Sequence, residues 1–228
     1  MEFFDSLIGE VNLLKEKLSS KQLSYNAEKS RKDIGYSQVI LQRDTAFELG
    51  GTGFNLVTSS SVEDGIVVAG PDLDSIKGDC SFARISVVQI ENQQDEQKAY
   101  NLIKKIEYVK YHYFPDGYMI RTSSRSHKEA VRVSRSALKE GLSFESIGNL
   151  LISSYKKIPG VKGVKVIFIT DPTADFAALE NIAKKGSSIA ETLNHIMNSV
   201  KFDCDSCNLK AVCDEVEGMK ELHFKMQQ

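Results

Sequence analysis

No apolar run in this 228-residue chain approaches the length of a membrane span, and the opening MEFFDSLIGEVNLLKEKL carries acidic residues where a secretory leader needs basic ones. The expected setting is therefore the cytoplasm, where thiols stay reduced and disulfides are rare. Strong net charge is also missing. A formal charge of −2 and a pI near 6.1 exclude a global attraction to nucleic acid or to anionic lipid, so neither is an expected partner and any polyanion must be met by a local patch. Histidine is scarce, with four scattered along the chain, and no GxSxG or P-loop string occurs. The usual starting points for Ser-His-Asp hydrolysis and for phosphate-cradling loops are thus absent. No internal repeat is evident. What remains, at 41% hydrophobic and 26% charged, is an ordinary globular composition, long enough for a sizeable core.

Three of the four cysteines lie within ten residues near the C-terminus, Cys204, Cys207 and Cys213, in the string KFDCDSCNLKAVCDEVEG. Two residues between the first pair let a tight turn aim both sulfurs at one point, so thiolates at the CxxCxxxxxC spacing can converge on a soft metal centre. Burial as small hydrophobes is a poor explanation beside Asp203, Asp205, Asn208, Lys210, Asp214 and Glu215. Zinc and an iron–sulfur cluster both accept thiolates, and three cysteines are one short of closing either site. A histidine would complete a zinc site; His223 and His195 are nearest, without ligand spacing. Cys80, in KGDCSFARISV, reads as a core or strand-end cysteine or as a distant fourth ligand. The trio also resembles part of the pattern of auxiliary 4Fe–4S sites in radical enzymes, with Glu217 standing where those sites place a further cysteine.

Phe4, Leu7, Val11, Leu14 and Leu18 recur at steps of three and four, which predicts an amphipathic N-terminal helix. Residues 19–35 are polar and predict a connector. From Ser37 the texture predicts short strands in SQVILQRDTAFELGG, EDGIVVAGPDLD and SFARISVVQIE, with the glycine pairs and Gly70-Pro71 ending strands. A helix is expected over residues 93–111, closed by a core knot of Tyr108, Tyr111, Tyr113 and Phe114. GYMIRT and VRVS read as strands, and Ser134 and Ser143 as N-caps of the helices that follow, with Glu145 favourably placed in a first turn. The apolar, β-branched KGVKVIFIT predicts a central strand covered on both faces. Two last helices are expected, from Pro172 through Lys185 and from Ser187 to about Val200. Strands and helices without strict alternation predict an α+β fold, a mixed sheet packed with helices, preceded by the amphipathic helix and followed by a cysteine-rich loop. The expected organisation is an N-terminal helix and connector at 1–35, the α+β domain at 36–200 and a metal-binding tail at 201–228.

A local basic patch is visible in RTSSRSHKEAVRVSR, where Arg121, Arg125, His127, Lys128, Arg132 and Arg135 surround one acid, Glu129. It suits a phosphate-bearing ligand, since guanidinium forks match phosphate geometry, and equally suits a solvated basic surface.

The strings DTAFELG, EDGIVVAGPDLDSI, VRVSRSALKEGLSFESIGNLLISSYKK and VKVIFITDPTA follow one another in an order and spacing that resemble the middle domain of the acetyl-CoA synthase subunit of carbon monoxide dehydrogenase/acetyl-CoA synthase. The resemblance covers roughly residues 37–200. It implies an iron–sulfur cluster, 4Fe–4S, held by Cys204, Cys207 and Cys213, because in that family the middle domain runs into cluster ligands that begin with a cysteine pair. It also implies coenzyme A near Arg121, Arg125 and Arg132, although the family's aromatic residue before the matching Arg-Val-Ser is Ala130 here. The family's Cys-Gly-Cys nickel turn has no counterpart before Gln228. The expectation is a stand-alone relative in anaerobic one-carbon or corrinoid metabolism, an accessory or electron-transfer protein whose partner is of the carbon monoxide dehydrogenase or corrinoid-protein type. Two other expectations stand beside it: a partner-dependent share in CO-methylating acetyl-CoA synthase activity, and an interaction module stapled by zinc.

Overall fold

The computed structural model describes residues 4–91, 96–123 and 127–197. Seven strands form one mixed sheet: β1 (Ser20–Ser24), β2 (Thr45–Thr58), β3 (Gly65–Ala69), β4 (Cys80–Ile90), β5 (Tyr118–Ser123), β6 (Lys128–Ser134) and β7 (Val161–Ile169). Their order is β1-β3-β7-β4-β2-β6-β5, with β3–β7 and β2–β4 parallel and the other neighbours antiparallel. The α+β reading holds. β7 lies inside the sheet, and Val166 and Phe168 on one face and Ile167 and Ile169 on the other are all buried, as its unbroken apolar run requires.

Helices cover both faces. On one lies α4 (Phe144–Lys156), whose start is set by a capping box between Ser143 and Ser146. Phe144 stacks at 4.6 Å on Phe168 and at 6.0 Å on Phe82, and Gly148 lets the helix settle on Ile66, where a β-carbon would fall 2.7 Å from Cγ1. On the other face lie α1 (Asp5–Glu16) and α5 (Phe176–Met197). The predicted stripe is real: Phe4, Leu7 and Val11 are buried in the chain's own core, with Leu14 and Leu18 packed against it. α2 (Glu96–Tyr108) runs beside the second half of β2, beyond the point where pairing with β6 stops at Thr52, and touches α5. The short α3 (Arg135–Lys139) is capped by the Ser134 side chain. None of the described helices is long and apolar enough to cross a membrane.

Four local expectations change. Residues 19–35 are not merely a connector, because Ser20–Ser24 pair with Ala69–Gly65 as β1 and Arg31 reaches Asp116 and Glu140 at 3.2 and 2.9 Å. The Gly50-Gly51 pair does not end its strand; β2 continues to Thr58 because a β-carbon on Gly51 would fall 1.7 Å from the Phe82 carbonyl, so glycine permits close strand approach. The two last helices are one, α5, in which Gly186 packs toward Leu56, Leu7 and Phe4 instead of breaking the helix. The aromatic knot splits: Tyr113 is buried, while Tyr108 and Tyr111 are 62% and 38% exposed.

Candidate functional site

β4 reads FARISVVQI, and the register that pairs Gly53 with Arg84 and Gly51 with Glu129 puts both charged side chains on the face under α4. Arg84 Nε donates to Glu129 Oε1 and Oε2 at 2.9 and 3.0 Å and its NH2 group donates to Oε2 at 2.8 Å; the side chains are 4% and 1% exposed. Gly53 makes the room, since a β-carbon there would lie 2.0 Å from Glu129 Oε2. The remaining Arg84 donor, NH1, serves Ser86 Oγ at 2.9 Å and Asn55 Oδ1 at 3.3 Å. Burial alone would lower the Arg84 pKa, but the Glu129 charge and hydrogen bonds raise it, so the guanidinium stays charged. Tyr155 from α4 donates to Asn55 Oδ1 at 2.6 Å, and burial pushes its hydroxyl up to about 12.

Asn55 links this buried group to a cleft. Its Nδ2 donates to Glu107 Oε1 at 2.8 Å, and Glu107 Oε2 in turn accepts from Lys110 Nζ at 2.9 Å. The cleft, about 320 Å³, opens between α2, α5 and the Gly53–Val57 stretch of β2, with Phe54, Val57, Ile103 and Ala183 as its apolar lining. His127 closes one side. Its backbone sits at φ 50, and its carbonyl accepts from Thr52 Oγ1 at 2.8 Å, tying the start of β6 to β2. Its ring Nδ1 lies 2.8 Å from Ser187 Oγ on α5. Burial, then the Lys110 charge, lower its pKa, favouring the neutral imidazole. The cleft can hold a small ligand of mixed polarity between neutral hydrogen-bonding groups and a balanced lysine–glutamate set.

Two of the arginines predicted to bind an anion, Arg121 and Arg132, stand elsewhere. Arg121 pairs with Ala130, and Arg132 lies two residues further along β6, so both occupy the sheet face opposite Arg84 in diagonal register. Arg121 is exposed. Arg132 Nε donates to Glu48 Oε1 at 2.7 Å, and these side chains remain 27% and 43% exposed. Arg125 lies outside the described residues, as do Cys204, Cys207, Cys213 and His223. Cys80 stands at a strand end, first in β4 and half-buried against the core, and burial followed by the Asp79 charge pushes its thiol pKa up. Among the described residues no group of three or more His, Cys, Asp or Glu could hold a metal ion.

Sequence reasoning missed the Arg84–Glu129–Asn55 group and the cleft. Two signals were present: an arginine within an otherwise apolar strand, and a lone acid in a basic segment. Each marks a buried charge only when seen with the other.

Residues 22–174 match the family model described as CO dehydrogenase/acetyl-CoA synthase complex beta subunit, which is more than half of the chain. No curated protein matches it.

Proposed function

Because the chain belongs to the CO dehydrogenase/acetyl-CoA synthase complex beta subunit family, we propose that it binds an iron–sulfur cluster through Cys204, Cys207 and Cys213 and acts as an accessory or electron-transfer protein in cytoplasmic one-carbon or corrinoid metabolism. The supporting observation is continuity. The family match ends at residue 174, just before α5 (Phe176–Met197), and that single helix carries the chain to within seven residues of Cys204. The donor set fits: thiolates are the soft ligands that iron–sulfur clusters take, and the described residues offer no competing metal site. A 4Fe–4S cluster held there supplies one-electron transfer. The fourth iron position would be filled by water, a substrate, Cys80 or a residue of a protein partner; Cys80 itself packs against the core at the start of β4.

The test is anaerobic expression followed by iron, sulfide and visible-absorbance measurements on the wild type and Cys207→Ser. Loss of most iron and of the charge-transfer absorbance in the variant is expected. Zinc in place of iron would leave the zinc-stapled module, and unchanged iron in the variant would remove these cysteines as ligands.

A second reading, a partner-dependent share in acetyl transfer to coenzyme A, has one observation in its favour: Arg121 and Arg132 lie on one sheet face, Arg121 exposed and Arg132 27% exposed. Between them Ala130 offers no stacking surface, and Arg132 already holds Glu48. Calorimetry with coenzyme A and with inorganic phosphate decides it, since no heat from either leaves those charges as surface.

A further inference from the structure

At the C-terminal end of α2 a second surface adjoins the cleft, with Lys104 and Tyr108 bordering both. An open groove of about 340 Å³ is lined by Lys104, Lys105, Tyr108, Val109, His112 and Ile158, and its surface is almost wholly apolar. Tyr108, 62% exposed, lies over the His112 ring at 4.7 Å and meets Tyr111 edge-on at 6.0 Å, so a large ring is held in place in water by its neighbours. An amphipathic tyrosine in the wall of an apolar depression, stacked on its neighbours, is what binding hot spots are made of, and a fixed ring loses little entropy on docking.

The rim decides what docks. Of the two lysines that line the groove, Lys105 has no carboxylate partner among the described residues, and Lys104 leans over the Tyr100 ring at 5.3 Å. The acid closest in sequence, Glu107, is turned to the cleft and engaged by Asn55 and Lys110. In a chain of net charge −2 this corner presents Lys104 and Lys105 beside an apolar floor, with no carboxylate paired to either among the described residues. We infer that the groove docks an acidic segment of a partner protein that inserts one aromatic or aliphatic anchor against Tyr108, while its carboxylates meet the lysine rim. The inference rests on the reading of this chain as a subunit that works with a protein partner. A nucleic acid is disfavoured by the floor, which presents no polar groups to base edges and one exposed stacked ring instead of a series. Charge of this kind steers encounter and gives salt dependence, and the anchor gives residence.

The test uses the full chain without added iron, titrated by fluorescence anisotropy with a labelled twelve-residue peptide of alternating Asp and Glu carrying one central Phe. Saturable, salt-sensitive binding is expected, weakened about ten-fold or more by Tyr108→Ala and by the Lys104→Glu, Lys105→Glu pair. Leu13→Ser, at an exposed position on α1, should leave it unchanged. Absence of binding, equal binding by the variants, or equal binding of the peptide with Ser in place of Phe overturns the proposal. So does an oligouridylate that binds more tightly and resists displacement by the peptide. Iron takes no part in the readout, so a failure here is distinct from a failure of the Cys207→Ser experiment.

Discussion

The sheet carries two arginine–glutamate pairs, one on each face: Arg84 of β4 reaches across β2 to Glu129 of β6, whereas Arg132 of β6 meets Glu48 of the adjacent β2. Arg84–Glu129 lies under α4, 4% and 1% exposed, with three contacts between the partners and Asn55 and Ser86 engaging the rest of the guanidinium. Arg132–Glu48 lies on the other face, 27% and 43% exposed, with one close contact and a long one from Arg132 to the Ile40 carbonyl at 3.4 Å. In the first pair, water has been removed and only the partner can replace it, so the charges are part of the architecture. In the second, water and any arriving anion compete with Glu48 for Arg132. The lesson is that an ion pair's role is set by what covers it, and that the exposed pair is the one free to exchange partners.

The contrast can be broken at its strongest point by Glu129→Ala, which leaves Arg84 charged and buried and should remove about 3–5 kcal/mol of stability, read as a fall in the urea midpoint. A Glu129→Leu, Arg84→Met double variant should recover much of that loss. Gly53→Ala sharpens the same point at smaller scale, because its methyl must displace the Glu129 carboxylate at a cost of about 1–3 kcal/mol. Glu48→Ala should cost about 0–1 kcal/mol and free Arg132, so phosphate or coenzyme A calorimetry on this variant should gain signal, not lose it. If Glu48→Ala proved as damaging as Glu129→Ala, coverage would not be what separates the pairs.

Much of the scaffold was readable in the chain. The stripe from Phe4 to Leu18, the Ser143 cap and the run VKVIFI each state a local rule, and α1, α4 and β7 obey it. Glycine misled the reading. Gly51 and Gly186 look like punctuation in one dimension, yet each is a place where another element comes close, the Phe82 backbone for one and Leu56 with α1 for the other. The candidate site was legible only in fragments, since Asn55, Arg84, Glu107, His127 and Ser187 come from five separate stretches.

By itself, the order of residues determined most of the element types, the apolar faces and the family, because periodicity and capping act over a few residues. Only the tertiary structure decided that β4 runs between β7 and β2, that Arg84 meets Glu129 over 45 positions of sequence and that Tyr108 stands out in water beside Lys104 and Lys105. The physical reason is that strand register allocates side chains to one face or the other by parity, and packing then covers one face fully and the other in part, neither of which any short stretch of the chain encodes.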